Sequence, residues 1–87
     1  MSRVFIPPLL RSLTDGHEVV EVAGQSVLEV IEKLDQQFPG VRARLIQGDR
    51  LTPGLSVAVG TKVSSRGLLH KIKPDDELHF LPAIGGG

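Results

Sequence analysis

The chain has 87 residues, enough for one small domain and not for two. Ten Lys+Arg balance ten Asp+Glu, and that zero net charge argues against a nucleic-acid or anionic-membrane binder, which needs a clustered positive excess. Cysteine is absent, which removes disulfides, thiolate metal sites and a cysteine nucleophile, and no apolar run approaches the ~18 residues of a membrane span. A polar start followed by a Pro-broken apolar stretch does not read as a secretory signal, so a cytoplasmic protein is expected.

Val4-Phe5-Ile6 is a short β-prone run that stops at Pro7-Pro8, where backbone donors are lost. Asp15-Gly16 marks a reversal, and His17 to Val22 reads as a second strand that closes a hairpin with the first. Ser26-Val27-Leu28-Glu29 has the form of a capping box, with the Ser26 hydroxyl and the Glu29 carboxylate each serving the other's amide. Val27, Val30, Ile31, Leu34 and Phe38 then form one apolar stripe at helical spacing, ended by Pro39-Gly40. Val41 to Ile46 adds a further helical turn with Arg42 and Arg44 outward. Gln47 to Gly54 carries only turn and loop signals.

Leu55 to Val59 reads as a third strand, Gly60-Thr61 as a tight turn, and Lys62-Val63 as a short return strand. Leu68, Leu69 and Ile72 are expected to anchor the following loop from inside. Lys73-Pro74-Asp75-Asp76 places proline where a type I turn favours it, and Leu78 to Pro82 is the final strand. The order β-β-α-β-(β)-β implies an α+β fold, a mixed sheet of four to five strands with one long helix on one face. A single helix leaves the other face open. Strand parity puts Leu78 and Phe80 under the helix and His79 and Leu81 on the open face. Phe5 and Phe38 are expected in the core. The domain is expected to span 1–82, with 83–87 as a flexible glycine tail.

Three of the ten glycines are the last residues, Gly85, Gly86 and Gly87. Without a Cβ, such a segment can lie in a narrow channel, and its terminal carboxyl carbon is uncrowded. A carboxylate so presented can attack the α-phosphate of ATP in a partner's active site and give an acyl-adenylate. Composition alone favours an unordered terminus. Position directly after a final strand in a chain of this order is what gives the glycines chemical meaning.

In these respects the sequence resembles the MoaD/ThiS family of small sulfur carriers, which share the ubiquitin-like β-grasp fold. The resemblance runs from Val4-Phe5-Ile6-Pro7-Pro8-Leu9-Leu10 through the Ser26–Ile31 helix start and Phe38-Pro39-Gly40. It ends with Lys73-Pro74-Asp75-Asp76-Glu77-Leu78, Leu81-Pro82-Ala83-Ile84 and the terminal Gly86-Gly87. It implies a carrier and not an enzyme, with no permanently bound cofactor. An E1-like adenylating enzyme of the ThiF/MoeB type would use ATP to activate Gly87, which then becomes a thiocarboxylate. Gly85 and Gly86 would thread the partner's channel, and Leu81 and Val63 would match the family's apolar docking patch. Sulfur acceptors implied are cysteine synthase or the large subunit of molybdopterin synthase, in cysteine, molybdopterin or thiamin biosynthesis. The longer stretch from Val63 to Ile72 is closest to the carriers of cysteine biosynthesis. Gly85 departs from the family, which usually carries a bulkier residue there. The alternative is a ubiquitin-like modifier joined through Gly87 to lysines of target proteins.

The other polar residues read more plainly. His17, His70 and His79 lack a close ligand spacing and read as surface or edge-strand residues, so no metal site is expected. Asp75-Asp76-Glu77 reads as a solvated turn, and Arg42, Arg44 and Arg50 as a solvated face.

Overall fold

The computed structural model describes residues 1–82; the tail expected at 83–87 lies outside the described residues. A five-stranded sheet is built from β1 (Ser2–Phe5), β2 (Val19–Val22), β5 (Leu55–Val59), β6 (Lys62–Val63) and β7 (Glu77–Pro82). Their spatial order is β2-β1-β7-β5-β6. β1 and β7 run parallel at the centre, while the other neighbours are antiparallel, so the sheet is mixed. The first and last of the described strands thus meet in the middle of the sheet. Helix α1 (Val27–Gln37) and the short α2 (Val41–Leu45) complete the main architecture.

The α1 stripe packs as its spacing requires: Val27, Val30, Ile31 and Leu34 are fully buried against Val4, Val22, Val57, Leu78 and Phe80 of the sheet. Ser26 caps the helix, its hydroxyl accepting from the Glu29 amide at 3.2 Å. The reciprocal half of the box is replaced, since the Glu29 carboxylate turns to Lys33, 3.8 Å away and one helical turn on. The helix ends at Gln37, where the Phe38 amide donates to the Leu34 carbonyl, and Gly40 opens α2 with φ 106°, a left-handed conformation that favours glycine. Gly24 is required for space: a Cβ there would lie 2.7 Å from Val30 Cγ2 and 3.1 Å from the Val30 amide nitrogen. The strand-to-helix connection crosses the helix at a distance only glycine permits.

Three local expectations need correction. The segment expected as loop contains a two-stranded ladder, β3 (Ile46–Gln47) with β4 (Arg50–Leu51), turning at Gly48. Its strands are too short for a period-2 pattern to register in the sequence. Leu69 is 74% exposed, whereas Leu68 and Ile72 are buried as expected. A 3-10 turn at Gly67–Leu69 directs the two leucines apart. Phe5 is half-buried and belongs to the open face, because Val4 and Ile6 on either side of it take the inward positions. Phe38 packs against the core as a partly buried residue.

The β7 approach is held by the turn before it. The Asp76 amide donates to the Lys73 carbonyl, and the Lys73 amide donates to Asp76 Oδ2 at 2.8 Å. Ser2 Oγ donates to the same carbonyl at 3.1 Å, tying the start of β1 to that turn. This fixes the register of the central parallel pair, and so the point at which the chain leaves the sheet.

Candidate functional site: the open sheet face and the chain end

The register lines up one residue from each strand across the open face. Val19 of β2 faces Phe5 of β1, Phe5 faces His79 of β7, His79 faces Ala58 of β5, and Ala58 faces Val63 of β6. Four of the five are apolar, and the fifth is drawn into the band by stacking. The His79 ring lies on the Phe5 ring with centroids 4.2 Å apart and 11° between planes. Val19 and Val63 at the two edges are 40% and 60% exposed. An apolar band across a whole sheet, uncovered by any helix among the described residues, is a surface suited to a partner.

Charge lies on one side of this band. Glu21, Arg3 and Glu77 form the next row, with Arg3 and Glu77 in a salt bridge. The Glu77 carboxylate also lies 3.6 Å from His79 Nε2. On the other side, toward the chain end, Ser56 pairs with Leu81. Leu81 is half-buried there, at the penultimate position of β7. The face therefore runs from a charged row, through an apolar band, to a leucine beside the point where the chain leaves the sheet.

The structure brings the two expected docking residues, Leu81 and Val63, onto one face, separated by β5. Gly85, Gly86 and Gly87 lie outside the described residues. Strand parity placed His79 on this face with Leu81, as the structure does, while Phe5 and Val19 were overlooked as members of the same surface. The alternation Val4-Phe5-Ile6 could have revealed Phe5, since one aromatic between two β-branched residues takes the opposite face. His79 is not an edge-strand histidine: its strand is paired on both sides.

The other histidines are held locally. His70 Nδ1 lies 2.7 Å from Ser64 Oγ, whose oxygen also accepts from the amides of Arg66 and Gly67. That network orders the loop between β6 and the segment that returns to the helix start, where the Val27 amide donates to the His70 carbonyl. His17 Nδ1 lies 2.7 Å from the Thr14 carbonyl. Among the described residues, no group of three His, Asp or Glu side chains is placed to hold a metal ion. No helix among them is long and apolar enough to cross a membrane.

Comparison with known proteins agrees with this geometry. The ThiS family model matches residues 4–87. The sulfur carrier protein CysO of Mycobacterium tuberculosis is 34% identical over 91 residues, spanning 97% of this chain and 96% of the relative. A chain of the crystal structure of the Amycolatopsis orientalis BexX/CysO complex superposes with a TM-score of 0.89 and 36% identity, covering 100% of both chains. The crystal structure of Mycobacterium tuberculosis CysO, an antigen, superposes with a TM-score of 0.88 and 29% identity over 97% of this chain and 100% of that one.

Proposed function

The chain belongs to the ThiS family, and we propose that it carries sulfur as a thiocarboxylate on Gly87. It is a small β-grasp sulfur carrier and not an enzyme in its own right. Its own residues supply a reactive end and a surface by which enzymes hold it; the bond-making groups belong to those enzymes.

The steps follow from the chemistry of a free carboxylate. An oxygen of the Gly87 carboxylate attacks the α-phosphorus of ATP, pyrophosphate leaves, and an acyl-adenylate forms. A sulfur nucleophile then adds to the acyl carbon and AMP departs with the original oxygen, leaving a thiocarboxylate. Gly85 and Gly86 carry no side chain that would obstruct a narrow channel. The five residues beyond Pro82 reach ~17 Å when extended, so the body can dock outside while its end reacts inside.

Docking falls to the open face. Its exposed Val19 and Val63 and half-buried Phe5, with Leu81 toward the end of β7, offer apolar anchors around the buried Ala58. Burying such anchors near the centre of a contact dominates affinity. The activating partner is an E1-like adenylating enzyme, and the acceptor is an enzyme that takes the sulfur from the thiocarboxylate. Cysteine biosynthesis is the favoured pathway, because the sulfur carrier protein CysO is a relative and the likeness covers nearly the whole of both chains.

The observation that carries this reading is the family match, which continues past the described body to residue 87 and so includes the terminal glycines. The test is intact-mass measurement after incubation with ATP, the E1-like enzyme and a sulfide source. Replacement of one oxygen by one sulfur at Gly87 is expected. An unchanged mass with an active enzyme overturns the reading, and adducts through target lysines in cell extract would redirect it to a modifier.

A further inference from the structure

Strand β2 is the outermost strand on its side of the sheet, and among the described residues no strand pairs with its outer edge. Two hydrogen bonds fix which of its main-chain groups point outward. The Ile6 amide donates to the Glu18 carbonyl at 2.8 Å, so Glu18, Val20 and Val22 turn their main-chain groups toward β1. The Arg3 amide donates to the Asp76 carbonyl at 3.0 Å, on the β7 side, so its cross-strand partner Glu21 turns away from β1. Val19 and Glu21 therefore present two amides and two carbonyls along the edge. The strand carries no proline, and its register with β1 is unbroken, so neither of the usual guards against further pairing is present.

The side chains of the same two residues decide what can pair there. Both are exposed and on the open face, Val19 at the end of the apolar band and Glu21 at the end of the charged row. Arg3, beside Glu21 in that row, is held by Glu77, and among the described residues Glu21 has no ion-pair partner. A second copy of β2 is a poor match. Antiparallel pairing centred on Val20 brings the two Glu21 carboxylates together as diagonal neighbours on one face, where like charges repel. A strand with a cation opposite Glu21 and an apolar residue opposite Val19 matches in both charge and polarity.

We propose that the β2 edge takes an extended segment of a partner protein as a further antiparallel strand, with a lysine or arginine against Glu21 and, two residues later, an apolar side chain beside Val19. Antiparallel sense sets that order, because β2 runs from Val19 to Glu21 and the partner runs the other way. Main-chain bonds at Val19 and Glu21 supply the attachment, and the two alternate side chains select the sequence. The added strand prolongs the apolar band of the open face at Val19. It uses neither the terminal glycines nor any chemistry at them, and so is independent of the carrier reading.

The test is amide NMR on the full chain, titrated with the blocked peptide Thr-Val-Thr-Lys-Thr-Val-Thr. Progressive shifts and slowed hydrogen exchange are expected at the Val19 and Glu21 amides, with Val30 and Ile31 unmoved. Glu21→Lys, a change at an exposed site, should weaken binding about fivefold, and exchanging the peptide lysine for glutamate should restore it. Methylating the amide nitrogens of the peptide lysine and of the valine after it removes the two donors aimed at β2 and should abolish the shifts. The proposal is overturned if the Val19 and Glu21 amides do not respond to millimolar peptide, if the methylated peptide binds as well, or if charge reversal leaves affinity unchanged. Shifts that follow protein concentration without peptide would give the edge to a second copy and overturn it too. Because neither ATP nor an activating enzyme is present, failure here leaves the carrier reading standing.

Discussion

Phe5 and His79 stack face to face across the central parallel strands, with ring centroids 4.2 Å apart. One lies on β1 and the other on β7, so their contact joins the first and last described strands on the open face. Aromatic pairs of this kind contribute about 0.5–1.5 kcal/mol beyond their buried area. A double-mutant cycle with Phe5→Ala and His79→Ala, read by denaturant unfolding, should return a coupling energy in that range. Additive effects would mean that the rings only adjoin.

Leu81→Asp should weaken binding to the activating enzyme tenfold or more, equivalent to ~1.4 kcal/mol. The substitution places an unpaired carboxylate in a contact that excludes water. Val63→Asp, at the exposed edge of the same face, should act in the same direction with a smaller effect. Calorimetric titration of each variant decides it, with a thermal melt as control. Unchanged affinity for both would move the docking surface off this face.

Deleting Gly86 and Gly87 should abolish ATP-dependent activation without a change in melting temperature. The two residues bring no side chain to the core. Acyl-adenylate formation by the shortened chain at the wild-type rate would show that the chemistry resides elsewhere.

Leu34 is fully buried at the middle of the α1 stripe. Leu34→Ala should cost ~2–5 kcal/mol, through lost contacts and the cavity left behind. In a domain this small that is a large part of the total stability, and the melt should fall accordingly. An unchanged melt would contradict the burial of this residue.

Gly24→Ala should be destabilising by about 1–3 kcal/mol, because the added methyl meets Val30 at 2.7 Å and its backbone nitrogen at 3.1 Å. Chemical denaturation measures it directly. A variant as stable as the wild type would mean that the connection into α1 moves aside without cost.

Much of this protein follows from local pattern. Helix α1, its Ser26 cap, its stop before Pro39-Gly40, the five principal strands and the inward parity of Leu78 and Phe80 all follow from periodicity, capping and turn chemistry, which act within a few residues. The β3–β4 ladder was not legible, because a two-residue strand has no period to detect. The contrast between buried Leu68 and exposed Leu69 was also hidden, since the direction of each side chain depends on a turn whose shape is set by packing.

The candidate surface divides in the same way. Glycines at the chain end and a leucine before the last proline can be read in sequence, because each is a local chemical feature. The band of Val19, Phe5, His79, Ala58 and Val63 is a product of tertiary structure alone. Its members come from five strands, and only the hydrogen-bond register between distant segments places them in one row. Ala58 and Val63 are close in sequence, but Phe5 and His79 meet only because the first and last strands pair in parallel. Local chemistry is read from the terminal glycines themselves, whereas long-range pairing decided which residues share the open face.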